Sequence, residues 1–296
     1  MDTRDAYLVD AFTDTPTDGN PAGVVPEADD LDADQMGALA NELGASETAF
    51  VRESDVADRQ LRYFTPETEV DLCGHATIAS HALLSERGVI EAGEHTVETE
   101  AGVLDVSIGE DGIVWMTQND PTVTELDVDT KRVADALGTD AESIRAVGLP
   151  IARTSTGLPF LAVPVEYFSD LSGMEPDMRA IELLSEAHDV TGIYAFTFDT
   201  LEGESTLHGR MFAPSAGVEE DPVTGTASGA VGAYLDRLGA LDETAAMTFE
   251  QGHFLNRPGT VSVSIGAEVK VGGRAVTTLE GTIVVPESDE DEIIEV

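Results

Sequence analysis

Asp71-Leu-Cys-Gly-His-Ala-Thr-Ile-Ala-Ser80 is the stretch that decides the fold. It follows an extended run, Leu61-Arg-Tyr-Phe-Thr65, and leads into an apolar, alanine-rich run, Ile78-Ala-Ser-His-Ala-Leu-Leu84. That order predicts a strand, a tight glycine turn and a helix. A helix opened this way presents backbone N–H groups with the positive end of its dipole behind them, a seat for carboxylate or phosphate. Cys73 and His75 flank the turn, so two groups able to move protons stand beside an anion seat.

The second half of the chain carries the same pattern. Arg62-x-Phe64-x-Pro66 returns as Arg210-x-Phe212-x-Pro214, offset by 148 in a chain of 296 residues, and at that offset Cys73 falls on Asp221. Three residues beyond the strict offset, Gly74-His-Ala-Thr77 matches Gly225-Thr-Ala-Ser228, and small-residue helix sequence follows both. Duplication is the expectation: two related domains facing each other, one presenting Cys73 and His75, the other Asp221.

Composition narrows the function. Acidic residues number 58 against 15 basic, a net charge of −43, and Lys131 and Lys270 are the only lysines. Phosphate backbones and anionic membrane surfaces require the opposite sign, so no nucleic-acid or membrane partner is expected. The acids are spread through amphipathic segments such as Pro26-Glu-Ala-Asp-Asp-Leu-Asp-Ala-Asp34, and 42% of residues are hydrophobic. That supports a folded protein adapted to a salt-rich cytoplasm over a disordered one. One cysteine leaves no intramolecular disulfide. Met1-Asp-Thr-Arg-Asp5 has no signal-peptide character, and no apolar run approaches the ~20 residues of a membrane span. A cytoplasmic location is expected.

Alternating apolar runs predict strands at 6–12, 22–25, 46–51, 61–65, 95–99, 103–108 and 113–118. Asp32 to Leu43 has helical spacing, with Asp30 or Asp32 as N-cap and Gly44 as the stop. Asn119 to Asp129 is polar, carries Pro121 and reads as the link between halves. Beyond it, helices are expected at 131–137, 177–188 and 227–238. Strands are expected at 144–147, 160–165, 192–198, 207–212, 248–250, 260–265, 268–271 and 281–285. The sum is an α+β fold with mostly antiparallel sheets, and a frayed acidic tail at 287–292.

Several residues could carry chemistry. Glu47, between Ser46 and Thr48, is either a solvent-facing charge or an acid/base group. Asp221, before Pro222 and a helix-opening turn, is either a cap or a functional carboxylate. His75 either bonds a backbone carbonyl at a helix start or transfers protons. Cys73 lacks a nucleophile signature and suits a small buried hydrophobe. Six histidines, one cysteine and no His-x-x-x-His spacing fail the zinc patterns, so no metal is expected. Neither a phosphate-binding loop ending in Gly-Lys-[Ser/Thr] nor a Gly-x-Gly-x-x-Gly follows a strand. What remains is proton transfer beside a carboxylate, with helix-end N–H groups stabilising the charge that develops.

At these residues the sequence resembles the PhzF-like family, related in fold to diaminopimelate epimerase. Asp10-Ala-Phe-Thr-x-x-Pro16 with Gly19-Asn-Pro-Ala22 matches the family's opening. Ser46-Glu-Thr-Ala-Phe-Val51 follows, then Arg62-x-Phe-Thr-Pro-x-x-Glu-Val-Asp-Leu-Cys-Gly-His-Ala-Thr77. Trp115-Met-x-Gln118, Glu220-Asp-Pro-Val-Thr-Gly225 and Gln251-Gly-x-x-x-x-Arg-Pro-Gly259 complete the set.

The resemblance implies two pseudo-symmetric domains, 1–118 and 119–280, with a last strand at about 281–296 returning to the first. Each is a barrel-like, mostly antiparallel sheet around a central helix. It implies a cofactor-free isomerase, phenazine-biosynthesis-like, usually a homodimer, acting on a small carboxylate-bearing metabolite in the inter-domain cleft. Its acid/base glutamate falls on Glu47, its histidine on His75 and its aspartate on Asp221. Asn20, Cys73, Gly74, Gly225 and Thr226 fall on the substrate-binding positions. Related epimerases use a cysteine pair; here Cys73 holds one such place and Asp221 is expected in the other, which argues against two-thiol racemisation. Two alternatives stand beside the isomerase: an amino-acid epimerase using Cys73 with a carboxylate partner, and a non-catalytic metabolite-binding protein.

Overall fold

A computed structural model describes residues 2–287. Residues 288–296, which hold most of the expected acidic tail and the end of the expected last strand, lie outside the described residues. In chain order, β1 (Thr3–Ala11) and β2 (Asn20–Val25) form a hairpin. Then come α1 (Ala33–Leu43), β3 (Glu47–Arg52), β4 (Arg59–Phe64), β5 (Glu69–Val70), α2 (Gly74–Glu86), β6 (Gly93–Thr99), β7 (Gly102–Ile108) and β8 (Val114–Thr117). The second half starts with β9 (Thr122–Glu125), α3 (Thr130–Leu137), α4 (Ala141–Ala146), β10 (Ala152–Ser155), β11 (Pro159–Pro164), α5 (Phe168–Ser172) and α6 (Met178–His188). It continues with β12 (Gly192–Thr197), β13 (Leu207–Ala213), β14 (Val218–Asp221), α7 (Gly225–Leu238), β15 (Met247–Gln251), β16 (Gly259–Ile265) and β17 (Val269–Gly273). β18 (Ala275–Val284) follows.

The chain divides into two compact units, Met1–Met116 with the stretch from Gly273 onward, and Thr117–Gly272. In the first unit the strands pair in the order β18-β1-β2-β3-β4-β6-β7-β8. In the second the order is β9-β10-β11-β12-β13-β15-β16-β17. Read along either series, the successive pairings are antiparallel, antiparallel, parallel, antiparallel, parallel, antiparallel, antiparallel. The duplication read from two short motifs therefore extends to every strand. β18 supplies to the first unit what β9 supplies to the second, which is why the chain's last described strand pairs with its first.

Each unit centres on one helix. α2 buries Ala76, Thr77, Ile78, Ala79, Ser80, His81, Leu83 and Leu84, and packs against β1, β2, β3 and β18. A helix apolar on all sides belongs inside a sheet, not on its surface. α7 is the counterpart, packed against β9, β10, β11 and β16. Its glycines permit close approach: a Cβ on Gly232 would lie 2.6 Å from Val263 Cγ1. Amphipathic helices cover other faces. α1 buries Met36, Leu39 and Ala40 against Val25, Phe50 and Phe64. Leu137 and Val133 of α3 join Ile181 and Leu184 of α6 in a core that includes Leu161, Val163 and Ile193. Among the described residues no helix is long and apolar enough to cross a membrane.

Capping chemistry sets the ends of α1 where the spacing placed them. Asp32 accepts from Gln35 N at 2.8 Å and Gln35 Oε1 accepts from Asp32 N at 3.1 Å, a reciprocal cap. Gly44 ends the helix at φ 67°. Three expectations are corrected. Residues 144–147, expected as a strand, lie in and just after α4, because the Asp140 side chain caps Glu142 N and starts a helical turn. The expected link 119–129 contains β9, whose polar Thr-Val-Thr-Glu sequence pairs with β10 on an exposed strand. The last strand begins at Ala275, six residues earlier than its apolar core suggested.

The repeated Arg-x-Phe-x-Pro motif proves to be scaffold. Arg62 lies over the Phe64 ring at 5.2 Å and pairs through two hydrogen bonds with Glu69, at 2.6 and 2.8 Å. Arg210 lies over Phe212 at 5.0 Å and pairs in the same way with Glu220, at 2.8 and 2.9 Å. Each arginine thus ties down the short strand that delivers the chain to its central helix. Arg210 also donates to the carbonyls of Leu171 and Met174. It is 7% exposed, so Arg210→Ala strands a half-buried carboxylate and two carbonyls. A loss of about 3–5 kcal/mol in unfolding free energy is expected from denaturant titration.

The same geometry corrects the internal register. Val70 pairs with Tyr63, the residue after Arg62, and Asp221 pairs with Met211, the residue after Arg210. Asp221 is therefore the counterpart of Val70. Thr224, not Asp221, stands where Cys73 stands: both are N-caps, of α2 and α7. The three extra residues fall in the turn around Pro214–Ala216, before the short strand, so the offset of 148 had already become 151 at Asp221. The counterpart of the thiol is a hydroxyl, and the case against two-thiol chemistry rests on Thr224.

Buried His81 makes the first unit acid-sensitive. Burial pushes its pKa down from 6.5 to about 4, against a raising contribution from Thr77 O, which lies 2.8 Å from Nδ1. The unfolded chain takes up this proton below about pH 6.5 and the folded chain does not, so stability is lost as pH falls from 6.5 towards 4. The full penalty is roughly 3 kcal/mol. Unfolding titrations across this window should show the slope in the wild type and its loss in His81→Phe.

Candidate active site

Glu47 opens β3, which runs parallel to β2, and Asn20 opens β2, with Glu47 in register with Ala22. The hairpin before Asn20 demands Gly19, since φ is +62° and a Cβ would meet Ala11 O at 2.2 Å. Asn20 is 1% exposed. α2 packs on both β2 and β3 and begins at Gly74. Its start is fixed from behind. Thr77 Oγ1 donates to Cys73 O at 2.7 Å, so the hydroxyl of Tyr63, 2.7 Å away, donates to Thr77 Oγ1. Burial raises the Tyr63 pKa and keeps that phenol protonated.

These elements bring three predicted residues together. Glu47 Oε2 lies 3.4 Å from His75 Nε2. Cys73 Sγ lies 3.4 Å from His75 Nδ1 and 4.0 Å from Nε2. The histidine is thus flanked by a carboxylate and a thiol, and faces side chains rather than a backbone carbonyl. Its side chain is 11% exposed and that of Glu47 24%, dry enough to strengthen their interaction yet open to a small molecule. Ser46 Oγ, 3.4 Å from His75 Nε2, was missed as a site residue; its place directly before Glu47 was the available signal. Cys73 forms no side-chain cap on α2, so the anion seat at Gly74 and His75 is not filled from the N-cap.

The second unit holds a separate group. Asp221 ends β14, half-buried, and Thr224 Oγ1 donates to its Oδ2. Gln251 Nε2 donates to Asp221 O at 2.8 Å and to Thr224 Oγ1 at 3.1 Å, and its Oε1 accepts from Thr224 N. Asp221 is therefore no simple cap of α7; it orients the N-cap side chain, which makes no cap hydrogen bond itself. Gly225 and Thr226 open that helix. Gln251 was also missed, although it heads the Gln251-Gly motif.

Comparison with known proteins decides the family. The model of the phenazine biosynthesis-like protein family, PhzC-PhzF, matches residues 9–281. The chain belongs to this family. The "Uncharacterized isomerase YfhB" of Bacillus subtilis is 40% identical over 293 residues, covering 97% of this chain and 98% of its own. The trans-2,3-dihydro-3-hydroxyanthranilate isomerase of Pseudomonas chlororaphis is 32% identical over 299 residues, covering 94% and 98%. The crystal structure of the Bacillus anthracis phenazine biosynthesis protein, PhzF family, superposes with a TM-score of 0.87 at 34% identity, covering 96% of this chain and 100% of that one. The chain is a PhzF-family isomerase with the α+β, diaminopimelate-epimerase-like fold of that family.

Glu47, Cys73 and His75 each offer a ligand atom, all within 4.8 Å of one another. Six histidines, one cysteine and no His-x-x-x-His spacing argued against a metal, and those patterns do not register Glu47, which lies 26 residues from Cys73 and on another element. Spacing rules detect ligands close in sequence; this cluster is assembled by β3 meeting the start of α2.

Proposed function

We propose that this isomerase moves a proton on a small metabolite bearing a carboxylate, without a cofactor, and that Glu47 takes and returns the proton. The observation that carries the reading is the carboxylate of Glu47, 3.4 Å from His75 Nε2, beside a helix start whose N-cap gives it no side-chain partner. The N–H groups at Gly74 hold the substrate carboxylate and stabilise charge that grows as the carbon loses its proton, and Gly225 and Thr226 offer a seat of the same kind at the start of α7. His75 orients an amino or hydroxyl group of the substrate, Asn20 and Cys73 contribute to binding, and the family resemblance assigns Asp221 a role of the same kind. The Pseudomonas chlororaphis relative supports a cyclic amino- or hydroxy-substituted acid, so trans-2,3-dihydro-3-hydroxyanthranilate belongs in any substrate panel.

One observation favours a second reading. Cys73 Sγ, 3.4 Å from His75 Nδ1, could itself exchange a proton, as in an amino-acid epimerase. The two readings separate on one variant. With Glu47 as the base, Cys73→Ala keeps turnover within about ten-fold of wild type. With the thiol as the base, it loses roughly 10²–10⁴-fold. Steady-state kinetics on an active substrate decides between them. A non-catalytic binding protein would show ligand stabilisation and no turnover at all.

A further inference from the structure

We infer that Glu47, Cys73 and His75 form a binding site for a thiophilic divalent cation of the zinc class, and that its occupancy switches the isomerase off. The second clause rests on the catalytic reading above; the first does not. The donor set is one carboxylate oxygen, one thiolate sulfur and one imidazole nitrogen, the borderline-soft mixture that suits zinc and not magnesium or calcium. Three protein ligands leave a fourth position for water or substrate.

The three ligand atoms lie within 4.8 Å of one another, so side-chain shifts of about one ångström bring them to the spacing of an ion's ligands. In a tetrahedral zinc site, ligand atoms stand about 3.3–3.6 Å apart, given metal–ligand bonds of about 2.0–2.3 Å. His75 Nε2 and Glu47 Oε2 are already 3.4 Å apart. Sγ lies 4.0 Å from the same nitrogen, so it closes by about half an ångström through rotation of Cys73 or of the imidazole. Binding removes the thiol proton, which passes to solvent, so the site tightens as pH rises. The chain's net charge of −43 raises the local concentration of any cation near its surface. An ion held here engages both the carboxylate proposed as the base and the imidazole beside it.

The sole cysteine makes the test selective. Many of the 58 carboxylates will bind divalent ions weakly, but only this cluster offers a thiolate, since Cys73 is the sole cysteine. Reduced, chelator-treated protein in molar KCl is titrated with Co²⁺ and read by its near-ultraviolet thiolate-to-cobalt absorption. The expected result is a band saturating at one equivalent, absent from Cys73→Ser and from His75→Ala, each checked for native circular dichroism, and bleached when Zn²⁺ displaces the cobalt. Turnover should vanish over the same zinc range and return with excess chelator. Absence of the band, or its persistence in His75→Ala, overturns the site whatever Glu47→Gln does to catalysis. A normal band with turnover untouched by zinc overturns the switch and counts against Glu47 as the base, while the metal site stands.

Discussion

Glu47→Gln should lower turnover by roughly 10³-fold, within the range a positioned general acid–base group supplies. The substitution keeps shape and hydrogen-bonding reach, so substrate should still bind. Only the capacity to accept a proton is removed. Stability should hold to within about 0.5 kcal/mol, because the side chain is part-exposed and its partner His75 is an ion-pair partner only when protonated. Kinetics and denaturant titration on the same preparation check both halves. A variant with normal turnover would remove Glu47 from the mechanism and move attention to Cys73.

Transfer from molar KCl to dilute buffer should unfold the protein cooperatively. Its acids outnumber its bases by 43. Arg4, Arg62, Arg87, Lys131, Arg153, Arg179 and Arg210 already pair with specific carboxylates. Most of the remaining acids have no basic residue left to pair with. At 1 M salt the screening length is ~3 Å and their repulsion is local; at 0.01 M it is ~30 Å and the whole surface repels itself. Far-ultraviolet circular dichroism against KCl concentration should show loss of helix at the dilute end, reversed by added salt. Full helicity and full activity in salt-free buffer would show that packing alone carries the fold.

Much of this was legible in sequence, for reasons that can be named. α1 was readable because its caps are local: Asp32, Gln35 and Gly44 act within one turn of the helix they bound. The duplication was readable because an arginine that must reach a glutamate and cover a phenylalanine leaves a recognisable motif. β9 was not readable, since an exposed strand of threonine and glutamate is held by its partner β10 and has no buried face to impose alternation. α4 was mistaken because the apolar Ile144 and Val147 outweighed a capping aspartate four residues earlier than the first of them. In the site, Cys73 and His75 were read together beside the glycine turn, and Glu47 was read apart from them. That Glu47 meets them was not legible from spacing, because it depends on β3 packing beside α2. Asp221 was placed opposite Cys73 by counting, and only strand pairing revealed Thr224 in that position.

The most direct test of proton transfer is deuterium incorporation from D₂O, followed by NMR in molar KCl. The panel comprises amino acids and amino- or hydroxy-substituted cyclic acids, with Glu47→Gln as control. The account predicts wild-type-dependent exchange at one carbon of at least one carboxylate-bearing compound, accompanied by isomerised product, and none with Glu47→Gln. Equal exchange in wild type and Glu47→Gln would contradict it, since the proton would then be moving without the carboxylate at the head of β3.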